Sequence, residues 1–340
     1  MSYVYILVFL AAFVTGLVFY KGISKFLFRI GIRAIDQQKH HKPVLPTSAG
    51  IIVLISILAG MFLFIGLDSF VLGTKINLSY ILAAGFAIFI ITFIGFFDDI
   101  NVSPILKKDK GLQDYRIGLK QWQKPLLVLP AAIPLMAVRA GVTEMALPLI
   151  GAINFGILYP LILIPLAVVF VTNATNMLAG MNGLESGLGL VSTLSIGTYA
   201  FIIGSPEAAI ISFSTAGALA AILLFNWYPA KILPGDSLTY LIGAAIVSSV
   251  IIGNIEKFAI IIFTPWIIEF FLKLRSKFKA RSLGELQKDG SLKSSYKKTY
   301  SLTHLFMRSG KARERKIALY LILLEAVICL AALVVLIYYP

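Results

Sequence analysis

Ten apolar stretches divide the chain, at roughly 3–20, 49–67, 79–97, 125–140, 156–172, 187–203, 208–226, 237–252, 256–272 and 317–338. They are long and unbroken, without the alternation of half-buried strands, and predict helices. Most approach the ~20 residues that cross a hydrocarbon core. Only a few polar residues separate two of the pairs, Gly204 to Glu207 and Gly253 to Glu256, which makes helical hairpins of them. An outer-membrane barrel needs short alternating strands, and the pattern argues against one. The first stretch lacks a small-residue cleavage site followed by a polar mature chain, so it reads as a retained helix rather than a signal peptide. The predicted fold is an all-α polytopic membrane protein of about ten transmembrane helices, one domain over residues 1–340.

Composition supports that class: 59% of the residues are hydrophobic and 14% charged, with a mean hydropathy of +0.90, too apolar for a soluble domain. The net charge of +14 is uneven along the chain. Gap one carries Lys21, Lys25, Arg29, Arg33, Lys39 and Lys42, and gap three Lys107, Lys108, Lys110, Arg116, Lys120 and Lys124. Gap seven has Lys231, and the gap from Lys273 to Lys316 holds 14 of the 30 Lys and Arg residues. The opposite face has only Lys75, Arg139 and Lys257. Lys and Arg mark the cytoplasmic side, so loops 21–48, 98–124, 173–186, 227–236 and 273–316 are expected there, with both termini outside. Most of these cations hold topology and meet anionic headgroups.

Polar islands gather on the same face. Asp98-Asp99 ends the third helix, Asp236 opens the eighth, and Asn173, Asn176, Asn182 and Glu185 follow the fifth in Asn173-Ala174-Thr175-Asn176-Met177-Leu178-Ala179-Gly180-Met181-Asn182-Gly183-Leu184-Glu185. Hydrocarbon cannot satisfy such groups, so they line a cavity or meet a partner. Singly, each has a plain explanation: an acid at a helix start caps it, and an acid pair at a helix end is a solvated terminus. Their convergence on one face points to a site.

Carboxylates and amides without histidine or thiol clusters suit a hard cation such as Mg²⁺, with Mn²⁺ as a substitute. Nearby Lys and Arg would neutralise phosphates. Acids, a divalent ion and cations at a membrane edge suggest phosphoryl transfer between a soluble diphosphate and a lipid phosphate. Cys329 is the sole cysteine, and His40, His41 and His304 have no metal-binding spacing, which disfavours zinc. No Walker or dinucleotide fingerprint is present.

Asp98-Asp99, the Asn173–Glu185 run, Asn226-Trp227-Tyr228-Pro229 with Gly235-Asp236, and Ser295-Tyr296-Lys297 resemble the polyprenyl-phosphate N-acetylhexosamine-1-phosphate transferases. The likeness is greatest to the branch that moves N-acetylglucosamine-1-phosphate from UDP-N-acetylglucosamine to dolichyl phosphate, the first membrane step of N-glycan assembly. The resemblance implies that Asn176 and Asp236 hold Mg²⁺, that Asp98 and Asp99 are the essential acids, and that Lys124 faces the phosphates. It also implies substrate contacts from Asn173, Asn182 (to the uracil), Glu185, Lys279 and Arg281.

Some positions depart from that pattern. Pro46-Thr47-Ser48 stands where the eukaryotic enzyme has an acid after the proline, and Lys279-Ala280-Arg281 where the family has Arg-His-Arg. The bacterial muramoyl-pentapeptide branch carries a histidine-rich motif with no counterpart between Lys273 and Lys316, so that substrate is not expected. Alternatives are the same reaction on undecaprenyl phosphate or with another UDP-N-acetylhexosamine and, from another class, a secondary transporter, whose site would sit at the midplane between inverted repeats. The expected partners are UDP-N-acetylglucosamine, polyprenyl or dolichyl phosphate and membrane lipid, with no nucleic acid; a homodimer is compatible with the sequence. The expected place is the cell membrane, or the endoplasmic reticulum of a eukaryote, with the active site facing the cytoplasm.

Overall fold

The computed structural model describes residues 2–74, 76–100, 102–107, 111–116, 122–147 and 151–338; Lys75, Lys108, Lys110, Lys120 and Gln121 lie outside the described residues. Eight helices among them are long and apolar enough to cross a membrane: Tyr3–Arg29, Gly50–Leu72, Leu78–Ile100, Tyr159–Met177, Leu184–Ile203, Pro206–Asn226, Gly235–Gly253 and Glu314–Tyr338. The chain is thus a mostly helical, multi-pass membrane protein.

The other two apolar stretches are broken. Gln123–Ala137 is shorter than the eight, and Leu129–Ala132 within it tightens into a 3-10 turn. Pro125, Pro130 and Pro134 lie along this stretch, and each removes a helix donor. The stretch at 256–272 is two helices, Glu256–Ile262 and Thr264–Leu274, the second restarting with Pro265 in its first turn. Nor is the fold purely α. Among the described residues, four antiparallel hairpins lie in the connections, Arg33–Ile35 with Val44–Pro46, Val102–Lys107 with Gly111–Arg116, Glu144–Leu147 with Gly151–Asn154, and Glu285–Leu286 with Leu292–Lys293. Strands this short leave no periodic signal beside twenty-residue apolar runs.

At the centre stands Gly235–Gly253, in which every residue from Asp236 to Gly253 is buried. The Gly50–Leu67, Leu78–Ile100, Tyr159–Met177 and Pro206–Asn226 helices pack around it. The first and last helices are peripheral and turn Leu10, Val14 and Val18, and Val327, Leu330 and Val334, outward, as helices bordering lipid do.

Lipid is as apolar as the helix surfaces, so association relies on close packing at small residues. A Cβ on Gly95 would lie 2.6 Å from the Asp236 carbonyl oxygen and from Ser237 Cα, and one on Gly50 2.4 Å from the Ser237 carbonyl carbon. These glycines bring two helices onto the start of the central one. Gly95→Ala should therefore lower the melting temperature of the purified protein, at a cost of about 1–3 kcal/mol for overpacking. Gly66→Ala, where a Cβ meets nothing within 4 Å, should leave it unchanged. Equal melting of the two variants would contradict this packing.

Candidate active site

Asp98 and Asp99 end the Leu78–Ile100 helix and are buried, yet they do different work. Asp99 Oδ1 accepts the Asp236 backbone N–H at 2.7 Å, and its Oδ2 accepts the Ser237 N–H at 3.1 Å and the Ser48 hydroxyl at 2.8 Å. It thereby satisfies donors that the first turn of the central helix leaves open, and its charge complements the positive end of the helix dipole. Gly235 makes the approach feasible: its φ is +71°, and a Cβ there would sit 2.3 Å from Asp99 Oδ2. Ser48 is buried with φ +70°, a left-handed conformation uncommon for serine.

Asp236 is not the cap of its own helix. Its Oδ2 accepts from Lys124 Nζ at 2.7 Å, and the same ammonium donates to Asp98 Oδ2 at 2.6 Å. Burial works against the charge on Lys124, but Asp236, with Asp98, outweighs it and holds the lysine above its ordinary value. Lys124 is placed by the Gln123–Ala137 helix, whose first turn lies at this edge of the bundle. The Asn176 amide oxygen accepts the Thr239 hydroxyl at 2.9 Å, and that hydroxyl also reaches the Asp236 carbonyl at 3.1 Å. Thr175 donates to the Thr239 carbonyl at 2.9 Å, locking the two helices together. Asp98, Asp236, Lys124 and Asn176 thus come from four helices to one end of the bundle.

No group of three or more His, Cys, Asp and Glu side chains able to hold a metal ion occurs among the described residues. The donors are nevertheless all hard oxygens, and a cation, the Lys124 ammonium, already sits between two of the carboxylates. That set fits Mg²⁺, which takes one or two protein ligands and completes its shell with phosphate and water.

Of the remaining expected residues, Asn182, Lys279 and Arg281 lie in loops, whereas Asn173 is within the Tyr159–Met177 helix and Glu185 in the first turn of Leu184–Ile203. Asn182 is buried; its backbone N–H donates to Glu314 Oε1 at 2.8 Å and its Nδ2 to Asp36 Oδ2 at 3.0 Å. Glu185 accepts the Gly180 N–H at 2.6 Å through Oε1, while Oε2 is buried with no hydrogen-bond partner among the described residues. Asn173 turns back on its own helix, its Nδ2 donating to the Val169 carbonyl at 2.8 Å. Lys279 and Arg281 are exposed. The Arg281 backbone is fixed, its N–H donating to the Tyr296 hydroxyl at 3.2 Å and its carbonyl accepting from His304 Nε2 at 2.9 Å. Burial, with Lys273 nearby, lowers the His304 pKa despite the Arg281 carbonyl, and Nδ1 accepts the Tyr300 N–H. Both contacts suit a neutral ring protonated on Nε2. Ser282 donates to the Met177 carbonyl at 3.2 Å, which docks this loop beside Asn176.

Comparison with known proteins decides the family. The model of glycosyl transferase family 4 matches residues 81–254. A protein of Saccharolobus solfataricus is 33% identical over 301 residues, 88% of this chain and 86% of its own. One of Sulfolobus acidocaldarius is 32% identical over 327 residues, 96% and 94% respectively. Both carry the provisional name UDP-N-acetylglucosamine–dolichyl-phosphate N-acetylglucosaminephosphotransferase. The phospho-N-acetylmuramoyl-pentapeptide-transferase of Clostridioides difficile is 30% identical over 261 residues, 75% of each chain. The chain belongs to glycosyl transferase family 4.

Several residues of this family 4 transferase escaped the sequence reading. Ser48 stood out only as part of Pro46-Thr47-Ser48, the segment that lacks an acid after its proline, whereas the structure makes it a donor to Asp99. Asp36 and Glu314 gave one faint signal, as acids inside strongly basic segments. Asn226 belongs to the scaffold: its Oδ1 accepts from the Gly183 N–H and the Ser186 hydroxyl, and its Nδ2 donates to the Ile232 carbonyl.

The division of labour among the acids is testable. Asp98→Asn and Asp236→Asn should each abolish turnover with little change in melting. Asp99→Ala should remove activity and also destabilise the fold by roughly 2–4 kcal/mol, since it strands buried donors. Identical melting of all three variants would contradict the capping role of Asp99.

Proposed function

We propose that this transferase moves N-acetylglucosamine-1-phosphate from UDP-N-acetylglucosamine to a polyprenyl phosphate of the dolichyl type and releases UMP. The observation that carries the reading is the pairing of Asp98 and Asp236 through Lys124 at the head of the central helix. The names of the two archaeal relatives support the donor and the lipid.

In the reaction, an oxygen of the lipid phosphate attacks the β-phosphorus of the donor. The new P–O bond forms as the bond from the β-phosphorus to the bridging oxygen breaks, and the electron pair leaves on UMP. The sugar C–O bond stays intact, so the anomeric configuration is kept. Lys124 offsets charge on the phosphoryl oxygens, as fixed cations do in such sites. Asp98 holds that ammonium in place from the opposite side to Asp236. Mg²⁺, with Mn²⁺ as a substitute, would be held by Asp236 and Asn176 and would supply further neutralisation of the pyrophosphate. The Arg281 guanidinium, on the loop beside Asn176, suits a two-pronged contact with phosphate oxygens. Asn182 faces the uracil, and Asn173, Glu185 and Lys279 complete the donor side.

We read the chain as ten membrane crossings, the two broken apolar stretches included, with both termini outside and the active site at the cytoplasmic face of the cell membrane, or of the endoplasmic reticulum in a eukaryotic host. Charge bias supports this orientation, and the phosphate acceptor lies at the interface that a soluble donor can reach.

Incubated with polyprenyl phosphate and UDP-N-acetylglucosamine, the purified protein should form a lipid diphospho-sugar and UMP in equal amounts. EDTA should stop it, and Mg²⁺ or Mn²⁺ should restore it. Release of UDP would mean attack at the sugar carbon and would sink the proposal. Arg281→Lys should lose about 2–3 kcal/mol of transition-state stabilisation, of the order of one charge-assisted contact. A cysteine at the exposed Lys288, with Cys329→Ala, should react with an impermeant thiol reagent only after the cells are opened. Labelling in intact cells would reverse the orientation.

A further inference from the structure

A buried cluster outside the reacting centre joins three distant parts of the chain. Asp36 follows the strand Arg33–Ile35, and its N–H donates to the Pro43 carbonyl at 2.9 Å. Lys39 Nζ lies 3.1 Å from Asp36, pairs also with Glu314, and sits 4.6 Å from the centre of the Tyr228 ring. Glu314 is the first residue of the last long helix. Both acids converge on Asn182, Glu314 accepting the Asn182 backbone N–H and Asp36 accepting from the Asn182 Nδ2.

This geometry settles which way the Asn182 carboxamide points. A carboxylate accepts hydrogen bonds and cannot donate them, so the amide nitrogen must face Asp36 and the amide oxygen must face away. Lys39 keeps Asp36 in that role by neutralising two acids that would otherwise repel each other. Gln38 adds a second tie, donating to the Gly180 carbonyl at 2.9 Å and accepting the Gly284 N–H at 3.1 Å. The loop that carries Asn182 is therefore held from the first cytoplasmic hairpin and from the foot of the last helix.

We propose that Asp36 and Lys39 are positioning residues for base recognition: by fixing the Asn182 carboxamide with its nitrogen on Asp36, they present its oxygen as an acceptor that reads the N3–H of uracil. Cytosine carries a lone pair at N3 in place of that hydrogen, and it meets the oxygen as acceptor against acceptor. A site built around one hydrogen-bonding sense rejects the opposite one strongly, because a buried polar group is left unpaired. The inference rests on the reading that the donor is a uridine nucleotide with its base at Asn182, and it adds the device by which uridine is chosen.

The test is the ratio of UMP to CMP affinity, measured by calorimetry on the full-length protein in nanodiscs with Mg²⁺. Wild type should prefer UMP by at least about tenfold, the value of one hydrogen bond. Asn182→Ala should bring the two affinities together, mainly by weakening UMP. Asp36→Asn should do the same, since an asparagine can offer Asn182 either its donor or its acceptor end. Lys39→Arg keeps the ion pairs and should keep the preference. A folded Asp36→Asn protein that loses UMP and CMP affinity in equal proportion, with the ratio intact, overturns the proposal. Should that variant not fold, Lys39→Gln decides, and an unchanged ratio there overturns the proposal in the same way. The donor assignment is checked separately on wild type, by turnover of UDP-N-acetylglucosamine. Turnover with no preference for UMP overturns only the positioning role, whereas absence of turnover strikes at the proposed function itself.

Discussion

The start of a helix buried along its whole length sets the terms for everything else. The central helix is covered from Asp236 onward, so its leading N–H groups need partners that the protein supplies. Asp99 supplies them from a neighbouring helix, taking the Asp236 and Ser237 N–H groups on its two oxygens and the Ser48 hydroxyl as well. The contact demands near-touching backbones, which is why Gly50, Gly95 and Gly235 stand where they do. Once Asp99 is placed, Asp98 follows, one residue earlier on the same helical turn. Asp236 is placed too, as the residue whose N–H is capped. Asp98 and Asp236 are located by a structural hydrogen bond rather than by each other.

That arrangement leaves two acids facing a single lysine. Two carboxylates brought together in a poorly solvated place need a cation, and Lys124 provides it. Under the proposed function, the same need would make the place receptive to a divalent ion and a diphosphate, whose charges can substitute for one another around the acids. The loops complete the picture at a distance from the chemistry. Ser282 ties the basic loop to Met177, and Asp36, Lys39 and Glu314 hold Asn182. Under the proposed function, segments far apart in sequence would thus hold a soluble nucleotide over a membrane-embedded centre.

Much of this was legible in the sequence, for identifiable reasons. Long apolar runs announce membrane helices, and the eight long ones appear where the runs fall. The two broken stretches carried their warning in Pro130, Pro134 and Pro265, which interrupt a helix without lowering its hydropathy. The polar residues of the site stood out because hydrocarbon tolerates none without purpose. Their division of labour did not, since Asp98 and Asp99 are adjacent and identical, and only the packing of one helix against another separates cap from cation partner. Asn173 looked like its neighbours Asn176 and Asn182 but lies a turn away, bonded to Val169. Asp36, Lys39 and Glu314 were hidden for a different reason. Their meaning lies in a contact across most of the chain, and along the sequence they merge into charged loops.

The central claim is that Asp236 and Asn176, at the head of the buried helix, form the cation site on which phosphoryl transfer depends. The most direct measurement is an experimental structure of the protein with Mn²⁺ and UDP-N-acetylglucosamine, with the metal located by its anomalous scattering. The account predicts one strong peak bonded to Asp236 and Asn176 and shared with the donor's phosphates, lost in Asp236→Asn. A peak elsewhere with the donor bound, or an unchanged peak in that variant, would contradict it.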